Sequence, residues 1–159
     1  MGEARFSIKA TFPTPADAEA ARDWLCRLID EDAEKHWQEH RHEPANLFWP
    51  AFQARHPLTV GVLSFAESWN GERYAPVVPG ESSTEDLCGL IDWQDNVLPD
   101  ETRPTTDGRN LTYQAVTWYW ARWAPLATAL VKRGAEKVVW ESPQGRFVMD
   151  CMGEYTRAA

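Results

Sequence analysis

The sequence predicts an α+β fold: an antiparallel or mixed sheet with helices packed on one face, ferredoxin-like in outline, in a single domain of residues 1–159. Three observations carry this. Residues 5–12 (RFSIKATF) alternate apolar and polar side chains and lead directly into a Thr14-Pro15 helix start. Residues 113–131 (YQAVTWYWARWAPLATALV) space Val116, Trp120, Trp123, Ala127, Leu130 and Val131 by threes and fours, as one helix face requires. Residues 137–141 and 146–150 (KVVWE, RFVMD) are apolar runs joined by Ser-Pro-Gln-Gly, the pattern of a β-hairpin.

In the first helix Thr14 is the N-cap and Pro15 takes the first helical position, where no amide donor is needed. Asp17 lies near the positive end of the dipole. Leu25, Leu28, Ile29, Ala33 and Trp37 form the apolar stripe, which runs to about His40, and Pro44 ends the helix. Residues 47–52 (LFWPAF) fit a short helix or an irregular packed turn equally. Residues 58–67 (LTVGVLSFAE), apolar and β-branched, read as a second strand. A long insert punctuated by Pro, Gly and Ser follows at about 68–107. It holds one short helix, capped by Ser83, with Leu87, Leu90 and Ile91 on its apolar face. At the end of the 113–131 helix, Lys132 and Arg133 suit the negative dipole end and Gly134 the left-handed cap. Pro125 removes a donor inside that element. Either the helix kinks there, or it starts near Trp123 and residues 111–120 form a strand.

At 159 residues and 43% apolar content, the chain is long enough to bury a core without disulfide or metal staples. No apolar run reaches the roughly 20 residues of a membrane span, and MGEARFSIKA lacks the apolar stretch of a signal peptide. Phe6 stands where myristoylation needs a hydroxyl. Cys26, Cys88 and Cys151 are odd in number and widely spaced, which indicates reduced thiols and a cytoplasmic location. Nine Trp each demand a large buried area and a partner for the indole N–H, so several belong at half-exposed positions.

The formal charge of −8 is concentrated. Residues 67–107 contain ten acids and two bases and so carry as much net charge as the whole chain. Trp69, Tyr74 and Trp93 lie among those acids. Aromatic anchors within an acidic surface suit a basic protein partner, since the charge speeds encounter and the aromatics hold the complex. The bland alternative is a solvated loop whose acids maintain solubility. Nucleic acid is disfavoured, because phosphate contacts need a basic patch.

Catalytic patterns are sparse. His36-Trp37-Gln38-Glu39-His40 matches H-x-x-E-H, in which His36 and His40 on one helix face bind zinc and Glu39 serves as base. Asp32 and His42 flank it, but nothing downstream identifies a third ligand, and a polar helix end with His near the negative dipole explains the string as well. Ser64 lacks the flanking glycines of a nucleophile elbow. Pro99-Asp100 has no acid-x-Lys partner, and no Gly-rich phosphate loop is present. Asp92 and Asp95 are spaced to bind a cation, although a solvated helix face is the better account of them.

The strand–helix start RFSIKATFPTPADAEAARDWL, the acidic CGLIDWQD and the closing GAEKVVWESPQGRF resemble, in order of elements, the immunity proteins of bacterial polymorphic toxin and type VI secretion systems. Those are small, often acidic α+β domains that bind a cognate toxin and block its active site. The resemblance implies a non-catalytic inhibitor without cofactor or metal, with a nuclease-type toxin as the natural partner because such toxins present a basic groove. Trp69, Tyr74 and Trp93 would then be anchors, and Glu72, Glu85, Asp86, Asp92 and Asp95 would set orientation and association rate. Three other readings stay open: a small zinc hydrolase using His36, Glu39 and His40, a phage-type inhibitor, and an assembly subunit.

Overall fold

The computed structural model describes residues 3–94, 103–118 and 121–158. In chain order the elements are β1 (Glu3–Thr11), α1 (Pro15–Asp30), α2 (Ala33–His40), α3 (Ala45–Arg55), α4 (Pro57–Leu63), β2 (Glu67–Trp69), β3 (Tyr74–Pro76), α5 (Cys88–Ile91), a 3₁₀ turn at Asp92–Gln94, β4 (Thr105–Asp107), β5 (Asn110–Trp118), α6 (Ala124–Lys132), β6 (Lys137–Ser142), β7 (Gly145–Asp150) and β8 (Tyr155–Ala158). The main sheet is antiparallel in the order β4-β5-β1-β6-β7-β8, and β2 and β3 form a separate hairpin. Taken as β1-α1-β4-β5-α6-β6, the framework is ferredoxin-like: α6 joins β5 to β6 across β1, and β4 lies one strand away from β1 across β5. The segment from α2 to the 3₁₀ turn is inserted after α1, and β7 and β8 extend the β6 edge.

Alternation in β1 decides which face is covered. Phe6, Ile8 and Ala10 are buried, and the register sets Ile8 opposite both Tyr113 and Trp140. On this face Phe6 stacks on Trp123 at 5.5 Å, so the start of α6 is held against the sheet centre by aromatic contact. The other face presents Lys9, Gln114, Glu141 and Arg146 to solvent. Among the described residues, helices cover one face only.

The start of α1 is as the sequence requires: the Asp17 N–H donates to Thr14 Oγ1 at 3.1 Å, with Pro15 in the first turn. The expected continuation to His40 is corrected. Asp32 adopts φ 51°, a left-handed conformation that breaks the helix between α1 and α2, although Leu25, Leu28, Ile29, Ala33 and Trp37 are all buried as expected. Gln94 bridges the break. Its Oε1 accepts from the Ala33 N–H at 3.0 Å, and its Nε2 donates to the Leu28 carbonyl at 2.8 Å. Pro44 begins α3 rather than simply ending the preceding helix, and residues 47–52 lie within α3.

Residues 58–67 are not a strand. They form most of α4 and lead into β2. Pro57 opens α4, and Glu31 reaches from the end of α1 to accept from the Leu58 and Thr59 N–H groups at 2.9 and 2.8 Å. A carboxylate on the first-turn amides outweighs the strand preference of Thr59, Val60 and Val62. The 113–131 helix is likewise corrected in favour of its alternative: β5 ends at Trp118, and α6 starts at Ala124 with Pro125 in its first turn. Leu111, Tyr113, Ala115 and Thr117 are the inward residues of β5. Gly134, at φ 106°, terminates α6 as expected. Leu87, Leu90 and Ile91 are buried, and the hairpin of β6 and β7 forms as read. No helix among the described residues is long and apolar enough to cross a membrane.

Candidate functional site

The β2–β3 hairpin brings the predicted aromatics together. Its turn is closed by Asn70, whose Oδ1 accepts from the Glu72 and Arg73 N–H groups at 2.9 and 3.0 Å, while Gly71 takes φ 102°. This register makes Trp69 and Tyr74 a cross-strand pair, with rings edge-to-face at 5.3 Å. Ser68 points inward and is buried, whereas Trp69 and Tyr74 remain 44% and 53% exposed. The strand pattern therefore puts both rings on the solvent side.

Asp86 ties the hairpin to the segment before α5, its Oδ2 accepting from the Trp69 N–H at 3.2 Å. Arg122 closes the far side. Its backbone N–H donates to the Gly89 carbonyl at 2.7 Å, and its guanidinium lies over the Tyr74 ring, 5.2 Å from the centroid. A cleft of about 380 Å³ results, lined by Trp69, Tyr74, Glu85, Asp86, Cys88, Gly89 and Arg122. Arg122 also borders a groove of about 510 Å³ whose wall includes the exposed Phe65 and Tyr155.

Four of the eight predicted partner-binding residues thus line one cleft: Trp69, Tyr74, Glu85 and Asp86. Glu72 is exposed at the hairpin tip. Asp92 and Trp93 are fully buried in the 3₁₀ turn, where Tyr113 donates its hydroxyl to the Trp93 carbonyl at 2.7 Å. Neither side chain is presented to a partner. Asp95 lies outside the described residues. Arg122, Cys88 and Gly89 line the cleft without having been among the predicted site residues, and Phe65 borders the neighbouring groove. Arg122 was hidden by placing WYWARW inside a helix, where it appears as one more polar position.

Behind the cleft, ligand atoms of Glu34, Cys88 and Asp92 lie within 4.8 Å of one another, a donor set that suits a divalent cation. These groups are engaged already. The Cys88 thiol donates to Asp92 Oδ1 at 3.2 Å, and Gln38 Nε2 donates to Glu34 at 2.7 Å.

The HWQEH helix turns His36 toward the joint between α3 and α4. The His36 and His40 rings lie 4.7 Å apart at a tilt of 59°, but His36 Nδ1 is 2.9 Å from Nε2 of His56, and His40 Nδ1 is 3.1 Å from a Glu43 carboxylate oxygen. His36 packs among Phe48 and Phe52, and both it and His56 are buried. Burial pushes the His36 pKa down to about 4, with the charges of His56, His40 and Arg55 acting in the same direction and Glu43 opposing. His56 is also lowered, first by burial, against the Glu31 carboxylate. Glu39 is exposed, and among the described residues the two histidines join no three-donor group. The pair interlocks α2 with the joint between α3 and α4.

No protein-family model, curated protein or solved structure matches the chain.

Proposed function

We propose that this chain is a non-catalytic inhibitor that binds a basic protein through the cleft and hairpin, in the manner of immunity proteins that neutralise a cognate toxin. One observation carries the reading: Trp69 and Tyr74 stand half-exposed as a rigid pair beside the exposed carboxylates of Glu85 and Asp86, with Glu67 and Glu72 on the same hairpin. Rigid aromatics supply anchoring area at little entropic cost, and the surrounding acids complement a cationic surface. A nuclease-type toxin is the partner of choice because its substrate groove is cationic, and an acidic protein seated there excludes the phosphate backbone.

The test is capture followed by inhibition. Immobilised protein exposed to a lysate of its host retains one basic protein, less of it at high salt, and the Trp69→Ala/Tyr74→Ala variant retains little. Added back in solution, the wild-type chain abolishes that protein's activity. Capture indifferent to the double substitution moves the interface elsewhere. Capture without inhibition removes the inhibitor reading.

A further inference from the structure

If the cleft and hairpin bind a basic protein, the chemistry of the cleft specifies what enters it. We propose that the cleft between the hairpin and Arg122 receives an arginine side chain of the partner, and that Arg122 occupies the aromatic wall in the partner's absence and competes with that arginine.

Three features converge. The Trp69–Tyr74 pair offers a π-face, and Arg122 shows that this face accepts a guanidinium: its Cζ lies 5.2 Å from the Tyr74 centroid, and its Nη2 is 3.5 Å from the Tyr74 hydroxyl. Glu85 and Asp86 line the same cleft, and neither has an ion-pair partner among the described residues. Arg122 likewise has no carboxylate within ion-pair distance among them, so the resident cation satisfies the ring and leaves the acids uncompensated. Finally, the Trp69 N–H fixes the Asp86 carboxylate beside the indole, so acid and ring are presented together.

A second guanidinium entering this space stacks on the aromatic pair while donating to Asp86 or Glu85. Arginine is favoured over lysine because its plane stacks and its forked donors match a carboxylate. The cleft volume of about 380 Å³ accommodates such a side chain. Arg122 then opposes entry in two ways: it covers the Tyr74 face and repels the incoming charge. A residue that merely decorated the rim, or that bound an acid of the partner, would have the opposite sign.

The experiment needs no partner. Nα-acetyl-arginine amide and its neutral isostere Nα-acetyl-citrulline amide are titrated into the full chain while the Trp69 indole N–H resonance is followed by NMR. The arginine compound shifts that resonance saturably, and the citrulline compound does so much less at equal concentration. Arg122→Ala tightens binding of the arginine compound about two- to fivefold, the reach of one exposed cation–π contact. Tyr74→Ala and Asp86→Asn weaken it. Equal response to the two probes, or weaker binding by Arg122→Ala, overturns the proposal. Failure of the wider reading shows separately, as protein capture that does not depend on Trp69.

Discussion

Trp69 and Asp86, seventeen residues apart in the sequence, are joined by a backbone-to-carboxylate hydrogen bond of 3.2 Å that sets an indole and an acid side by side at the surface. The chain between them runs inward and back. Val77 donates to the Ala66 carbonyl at 2.9 Å, and the Trp49 indole donates to the Ser82 carbonyl at 2.8 Å, so both ends of the loop are held by the helical layer. Residues 67–94 of the acidic segment therefore form a shaped surface.

Trp93 is predicted to act on stability. Its side chain is fully buried, and its carbonyl accepts the hydroxyl of Tyr113, a residue at the sheet centre whose own pKa burial raises to well above the ordinary phenol value. Trp93→Ala is expected to cost about 3–5 kcal/mol of unfolding free energy, as large-to-small substitutions in a packed core do. Urea denaturation measures this. A variant as stable as wild type but defective in binding would return Trp93 to the interface.

Glu31 is predicted to hold the first turn of α4. Besides the two amides, its Oε1 accepts the Thr59 hydroxyl at 2.7 Å. Glu31→Ala leaves those donors without a carboxylate and is expected to cost about 1–3 kcal/mol. Hydrogen exchange localises the effect: protection falls first at residues 57–63, while the amides of β1 retain theirs. Uniform loss across both segments would contradict a local cap.

The buried histidines give the protein an acid-sensitive joint. Both His36 and His56 bind a proton less readily when folded than when unfolded. The contribution of each to stability is therefore complete above the unfolded value of 6.5 and declines as the pH falls below it, for His36 down to about 4. Denaturation midpoints measured at intervals across that window should decline for wild type and decline less steeply for His36→Gln. Identical slopes in the two proteins would exclude the pair as the source.

Signals local to one element were legible in the sequence. Thr14-Pro15, the alternation of residues 5–12 and the Ser-Pro-Gln-Gly turn each fix structure within a few residues, and each appears as expected. What escaped was set at a distance. Residues 58–63 have strand-forming composition, but their helix is held by Glu31, about thirty positions earlier, which no local pattern reveals. In residues 113–118, a coincidental spacing of Val116 with Trp120 and Trp123 concealed the period of two in Leu111, Tyr113, Ala115 and Thr117. The same limit governs the site. Charge and aromatic content singled out residues 67–107 as a whole, and the folded chain is needed to separate the exposed Trp69 and Tyr74 from the enclosed Trp93.

The most direct test of the central claim is the dissociation rate of the captured partner from wild type and from Trp69→Ala, measured at one salt concentration on the same surface. Trp69 as an anchor predicts dissociation about thirtyfold faster or more, corresponding to a loss of about 2 kcal/mol, with the association rate nearly unchanged. Equal dissociation rates would show that the hairpin cleft is not where this protein meets its partner.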